Sequence, residues 1–118
     1  MSLPGEAGAA AEALAARHLA RAGYRILARN FRVPEGELDL VCVHESVLCF
    51  VEVRYRAAAE HGAPEETISW EKRQRLARAA RAYLAKHPTR AACRFDVVSI
   101  VGDEVTVIQD AFRSSRDP

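Results

Sequence analysis

The stretch GELDLVCVHESVLCFVEVRYR, from Gly36 to Arg56, decides the fold. Two apolar, β-branched runs, Glu37 to Val43 and Val47 to Arg54, flank the short His44-Glu45-Ser46 link. Runs of this length joined so tightly predict a β-hairpin, although the Asn-Gly turn signature is missing. Glu45 and Ser46 form a two-residue turn, or His44 to Val47 a four-residue loop; either gives the same register. Val43 then faces Leu48, Val41 faces Phe50, Asp39 faces Glu52 and Glu37 faces Arg54. Cys42 and Cys49 also oppose each other. Opposed side chains on antiparallel strands start roughly 4.5–5.5 Å apart at Cβ, and Glu37 shares a face with Asp39. One end of the hairpin thus gathers Glu37, Asp39, Glu52 and Arg54.

The rest of the hairpin is apolar on both faces, with Val41, Val43, Leu48 and Phe50 on one and Leu38, Leu40, Val51 and Val53 on the other. Such a pair belongs at the centre of a sheet covered on both sides. Carboxylates placed there are partly desolvated and repel unless protonated, paired or bound to a cation. Hard oxygen ligands of this kind suit Mg²⁺ or Mn²⁺. The residues leave a second reading open: Glu37 and Arg54 form a cross-strand ion pair, and Asp39 and Glu52 are merely solvated at a sheet end. A one-residue change in the turn would also move Asp39 and Glu52 to opposite faces.

Outward from the hairpin, Ala-rich Gly5 to Ala22 predicts a helix, closed by Gly23 in the C′ position. Its apolar arc is Ala11, Leu14, Ala15, His18 and Ala22, with Glu12 near the boundary and His18 a packed histidine. Tyr24 to Phe31 alternates as a strand, with Tyr24, Ile26 and Ala28 on one face, and Val33-Pro34-Glu35-Gly36 is a turn. Residues 57–66 read as a loop. Thr67 or Ser69 caps a second helix that runs to about Lys86, before Pro88. Trp70 opens this helix and is expected to anchor it; base stacking is its alternative role. Arg94 to Val101 and Glu104 to Ile108 are strands about a Gly102-Asp103 turn. The predicted class is α/β, in the order α-β-β-β-α-β-β, as one domain over residues 1–118 with 1–4 frayed and 113–118 a polar tail.

On the second helix, Leu76, Ala79, Ala80, Tyr83 and Leu84 form the packing side. Gln74, Arg75, Arg78, Arg81 and Lys86 fall on the other, a basic stripe read as a phosphate-contacting surface or as a solvated face. Arg25, Arg29, Arg32 and Arg56 are candidates to extend it. Bulk charge does not separate these readings: 17 Lys+Arg against 16 Asp+Glu leaves a net charge of +1, so any basic patch is local. Cys42, Cys49 and Cys93 have neither CxxC nor zinc-finger spacing and are expected to be reduced thiols in a cytoplasmic protein. No signal sequence or membrane-length apolar run is seen, which predicts a protein with no membrane association. Asp96 is expected to cap or pair within the sheet.

Gly36-Glu37-Leu38-Asp39-Leu40-Val41 together with Phe50-Val51-Glu52-Val53-Arg54-Tyr55-Arg56 resembles the YraN-like family of small bacterial proteins. That family is similar to archaeal Holliday-junction resolvases and to the restriction-endonuclease-like (PD-(D/E)XK) nucleases. Glu12, Gly23 to Leu27, Lys72 to Leu76, Arg94 to Val98 and Asp110-Ala111-Phe112 extend the resemblance over about Gly5 to Phe112. It implies a central mixed sheet flanked by helices and a metal-dependent endonuclease of branched or structured DNA. Asp39 and Glu52 take the places of the two metal ligands, Glu12 matches a carboxylate that often completes the site, and Gln74 stands where some relatives carry a helix glutamine; the hairpin register adds Glu37 to the shell. Related resolvases act as dimers, so a homodimer is admitted. Arg54 stands where these nucleases have lysine; arginine stays protonated and cannot accept a proton. It can hold the water or stabilise charge on the phosphate, leaving the base role to metal chemistry. A nucleic-acid-binding module with a degenerate nuclease site is therefore the alternative, and a protein-interaction domain a third.

Overall fold

The computed structural model describes residues 4–57 and 68–113, with the side chains of the first helix from Gly8 onward. Helix α1 (Pro4–Arg21) is followed by strands β1 (Arg25–Val33), β2 (Gly36–His44) and β3 (Val47–Arg56), then helix α2 (Trp70–Lys86) and strands β4 (Cys93–Val101) and β5 (Glu104–Phe112). The order is the predicted α-β-β-β-α-β-β. The five strands lie side by side in chain order. Only β3 and β4 run parallel, joined through α2; the other pairs are antiparallel, making the sheet mixed. The last strand runs four residues further than predicted, and all but the first residue of the expected loop at 57–66, the Thr67 cap and most of the two termini lie outside the described residues.

Each helix covers one face of the sheet. Under α1, Ala11, Ala15, Ala16 and Leu19 pack on Tyr24, Leu40, Cys42, Cys49, Val51, Val98 and Ile100. Alanine side chains let the helix axis lie close to the strands. The buried arc is turned from the predicted one: Ala16 and Leu19 are buried and Ala22 is exposed. Under α2, Leu76, Ala79, Ala80 and Tyr83 pack on Val41, Leu48, Phe50, Val97 and Phe112. The Ser69 side chain caps α2 by accepting the Lys72 N–H at 3.1 Å, satisfying one orphan donor of the first turn. Ile68, 2% exposed, is the anchor at this end, and Trp70 is 68% exposed. Trp70 opens the helix but does not anchor it, because the capped first turn faces it outward.

Gly23 closes α1 with φ +95°, and the Tyr24 N–H donates to the Leu19 carbonyl at 2.9 Å, as a C′ glycine should. Glu45 and Ser46 form the two-residue hairpin turn with φ 50° and 70°, the left-handed pair of a type I′ turn. His44 therefore pairs with Val47, Cys42 with Cys49 and Leu40 with Val51, the predicted register.

The ladder between β2 and β3 then stops. Beyond Leu40 and Val51, β2 remains paired only with β1, through Leu38↔Phe31 and Glu37↔Arg32, while β3 follows β4 to Arg56↔Val101. The predicted Glu37–Arg54 rung does not form; Glu37 instead pairs with Arg32 at 3.2 Å. Strand alternation also breaks at this point. Leu38 and Val41 share the α2 side, whereas Leu40 lies on the α1 side, so Leu38 does not share the Leu40 face as a regular strand requires. Between the rungs Arg29↔Leu40 and Phe31↔Leu38 stand Asn30 and Asp39, with Asn30 at φ 53°. Asparagine is among the few residues that take this conformation readily.

Candidate metal centre

The fork between β2 and β3 is where the acidic residues meet. Asp39, freed from the ladder, accepts the Val53 N–H on Oδ2 at 2.8 Å. This bond spans the fork and stands in for the missing rung. Glu12 of α1 reaches the same place, where it contacts Asn30 and Asp39. One carboxylate oxygen from each of Glu12, Glu37 and Asp39 lies within 4.8 Å of the others. Two adjoining clefts open onto them. One, about 370 Å³, is lined by Glu12, Asn30, Arg32, Glu37 and Asp39. The other, about 500 Å³, is lined by Glu12, Asp39, Glu52, Val53, Tyr55 and Lys72.

Glu52 stands on the α2 side of Asp39, outside the tight trio. It is 7% exposed and its Oε2 lies 3.6 Å from Lys72 Nζ. Burial, then the neighbouring Asp39, pushes its carboxyl up to about 7, against the pull of Lys72 and Arg54. Asp39 is raised by burial and by Glu37, and held back by the Val53 N–H and by a hydrogen bond with Glu52. Glu12 is raised by burial and then by Asp39. Carboxyl groups crowded and desolvated in this way resist ionising together. A divalent cation relieves the repulsion, and the donor set, all carboxylate oxygen, fits Mg²⁺ or Mn²⁺.

The structure therefore gathers Glu12, Glu37, Asp39 and Glu52 at one fork. Arg54, half-buried one residue beyond Val53, acts on Glu52 through its charge. Arg75, Arg78, Arg81 and Lys86 are exposed along α2, and Gln74 is half-buried beside them; the Lys86 ammonium lies over the Phe31 ring at 5.6 Å. Lys72 and Asn30 are the site residues that sequence reasoning missed. Lys72 sits in the first turn of α2, in the segment carrying the family resemblance, and Asn30 carries the left-handed tendency of its residue type.

A second polar group lies apart from the fork. Asp96 is fully buried. It accepts the Tyr24 hydroxyl at 2.9 Å, Arg94 Nε at 2.9 Å and the Asp110 N–H at 2.9 Å. Arg94 also meets His44 Nδ1 at 3.1 Å, and His44 stacks on Tyr24 with ring centroids 4.2 Å apart. Burial, with Asp96 beside it, pushes the Tyr24 hydroxyl up to about 12. Asp96 thus pairs within the sheet, tying Tyr24, just ahead of β1, to β4 and β5. Cys42 and Cys49 are buried free thiols and Cys93 an exposed one; burial raises the first two to about 12.

The fold and the fork define a small α/β protein with a mixed five-stranded sheet and an acidic cluster able to hold a metal ion. The chain belongs to the family described as "Uncharacterised protein family UPF0102", which it matches over residues 11–100. It is 46% identical over 110 residues to a UPF0102 protein of Halorhodospira halophila, covering 93% of this chain and 89% of the relative. A UPF0102 protein of Lachnoclostridium phytofermentans is 43% identical over 107 residues, covering 89% and 91%. One from Xylella fastidiosa is 46% identical over 112 residues, covering 92% and 93%. This is the YraN-like family that the GELDL and FVEVR segments resemble. Among the described residues, no helix is long and apolar enough to cross a membrane.

Proposed function

We propose that this protein is a metal-dependent nuclease that hydrolyses phosphodiester bonds in branched or structured DNA, with the fork between β2 and β3 as its active site. The observation that carries this reading is the convergence of Glu12, Glu37 and Asp39 within 4.8 Å, beside a raised Glu52 that shares a cleft with Asp39 and Lys72. The order of strands and helices, with the restriction-endonuclease-like resemblance, supports it. Asp39 and Glu52, assisted by Glu12 and Glu37, are the residues that would hold Mg²⁺ or Mn²⁺. When bound, the ion supplies Lewis-acid polarisation of the phosphate and acidifies a coordinated water. Lys72 offsets the charge of Glu52, and Arg54 stabilises charge developing on the phosphate oxygens. Gln74, Arg75, Arg78, Arg81 and Lys86 position the DNA backbone. The reaction is assigned to the reducing cytoplasm, where the three thiols remain free.

The test is cleavage of branched, single-stranded and duplex DNA with and without Mn²⁺, comparing wild type with Asp39→Asn. Metal-dependent cleavage lost in Asp39→Asn, with DNA binding retained, supports the reading; equal activity in the two proteins removes Asp39 from the reaction. The permanently protonated Arg54 favours a second reading, a DNA-binding module with a degenerate nuclease site. That reading predicts no cleavage with any divalent metal, and a gain of activity in Arg54→Lys separates the two.

A further inference from the structure

Among the described residues, three large hydrophobic side chains are exposed: Leu27 at 40%, Tyr55 at 51% and Trp70 at 68%. Tyr55 stands at the acidic fork, and Trp70 stands on the helix that sends Lys72 to it. Tyr55 lines the 500 Å³ cleft together with Glu12, Asp39, Glu52 and Lys72. Trp70 lies two residues before Lys72, on the first turn of α2.

Among the described residues, others than Trp70 hold the start of α2. The start of α2 is held by the buried Ile68, by the Ser69 cap and by Arg73 Nε, which donates to the Ile68 carbonyl at 3.2 Å. A tryptophan left largely in water is available for a flat, apolar partner with a charged attachment. The surrounding charge says which one. At helical spacing, Trp70 shares a stripe with Gln74, Arg78 and Arg81, and Arg78 and Arg81 are exposed. The pattern is an aromatic face followed by cations, which matches a base followed by its phosphates.

Resting on the nuclease reading above, we infer that Tyr55 at the acidic fork and Trp70 on the basic face of α2 stack unpaired bases, so that the preferred substrate carries single-stranded nucleotides at the cleaved position. Both residues set specificity; neither takes part in bond breaking. A continuous duplex keeps its bases stacked on one another and gives these rings nothing to receive.

Trp70 is the only tryptophan in the chain, so its emission reports this contact directly. The full-length protein, with chelator present to prevent cleavage, is titrated with a short single-stranded oligonucleotide, an abasic strand of equal length and a blunt duplex. Binding is followed separately by the anisotropy of labelled strands. Stacking predicts that the single strand quenches Trp70 emission and that the abasic strand and the duplex do not. It also predicts that Trp70→Ala and Tyr55→Ala each weaken single-strand binding by roughly five- to a hundredfold, with duplex binding unchanged within about twofold and Trp70→Phe intermediate. A single strand that binds by anisotropy without altering Trp70 emission, or that binds both alanine variants as tightly as wild type, overturns the stacking inference alone. Failure of every DNA to bind overturns both it and the nuclease reading.

Discussion

The main-chain N–H of Val53 donates to Oδ2 of Asp39 across a gap where two neighbouring strands have parted, at 2.8 Å. A side chain here does the work of a backbone carbonyl. The same carboxylate therefore spaces the fork and faces the cluster of Glu12 and Glu37, so fold and site share one residue. Substitutions at Asp39 divide these duties. Asn keeps an oxygen for the Val53 N–H but loses the charge, so Asp39→Asn should fold normally and lose Mn²⁺ affinity by tenfold or more in calorimetric titration. Ala removes both, leaving a part-buried donor unpaired, and should cost a further 1–3 kcal/mol or so of stability in urea unfolding.

The raised carboxyl of Glu52 gives metal-free protein an unusual response to pH. Its folded value of about 7 lies above the ordinary 4.5, so the folded state binds more protons than the unfolded state between those limits. Stability is fully present below the unfolded value and falls as pH rises through 7. The loss is roughly 3 kcal/mol for a shift of this size; burial and Asp39 cause it. In EDTA, thermal melting should therefore be highest near pH 5 and lower at pH 8. Mn²⁺ should restore stability at pH 8, and Glu52→Gln should flatten the profile.

Gly36 opens the strand that carries Glu37 and Asp39, and a Cβ at this position would lie 2.7 Å from the Arg75 carbonyl oxygen. That obstacle is helix backbone and cannot rotate away. Gly36→Ala should force α2 and β2 apart, lowering stability by about 1–3 kcal/mol and weakening Mn²⁺ binding through displacement of the acidic residues. A melting temperature equal to that of wild type would show that the two elements separate freely.

Asp96 supplies the control. Its carboxylate satisfies Tyr24, Arg94 and the Asp110 N–H. Asp96→Ala strands the part-buried Arg94 and should cost about 3–5 kcal/mol in chemical denaturation. The fork contains none of these groups, so Mn²⁺ affinity of the folded fraction should stay within about twofold of wild type.

For the basic helix, Arg78→Ala should weaken binding to all DNA sequences alike and reduce the slope of log affinity against log salt by about 1. Melting should not change, because Arg78 is exposed. An unaltered slope would mean that this stripe touches no phosphate.

The hairpin was readable because either turn length leads to the same opposition of Val41 with Phe50 and Cys42 with Cys49. Its fraying was not, since neither Glu37 to Leu40 nor Val51 to Arg54 looks unlike a strand. The break coincides with Asn30, one strand away, taking a left-handed conformation opposite Asp39. Proximity of the carboxylates followed from register alone. The split into a tight trio and a Glu52–Lys72 pair did not, because Lys72 arrives from a helix beyond the 58–67 segment. Hydrophobicity alone points to Trp70 as the anchor, whereas Ile68, two residues earlier, fills the buried position. Asp96 carried no local signal of its network, which draws Tyr24 and Asp110 from distant parts of the chain.

The sheet has two open margins, β1 and β5, each a potential template for another chain. Both are interrupted: β1 by the bulge between Ile26 and Ala28 and the left-handed Asn30, β5 opposite the bulge between Phe95 and Val97, where Asp110 has φ 52°. Exposed arginines at 25, 29 and 32 add charge to the first margin. Kinks and charges of this kind discourage fibril-like accretion of strands. The irregularity at Asn30, opposite Asp39, thus also guards the molecule against aggregation, so a variant that straightened β1 would be expected to lose solubility together with its acidic pocket.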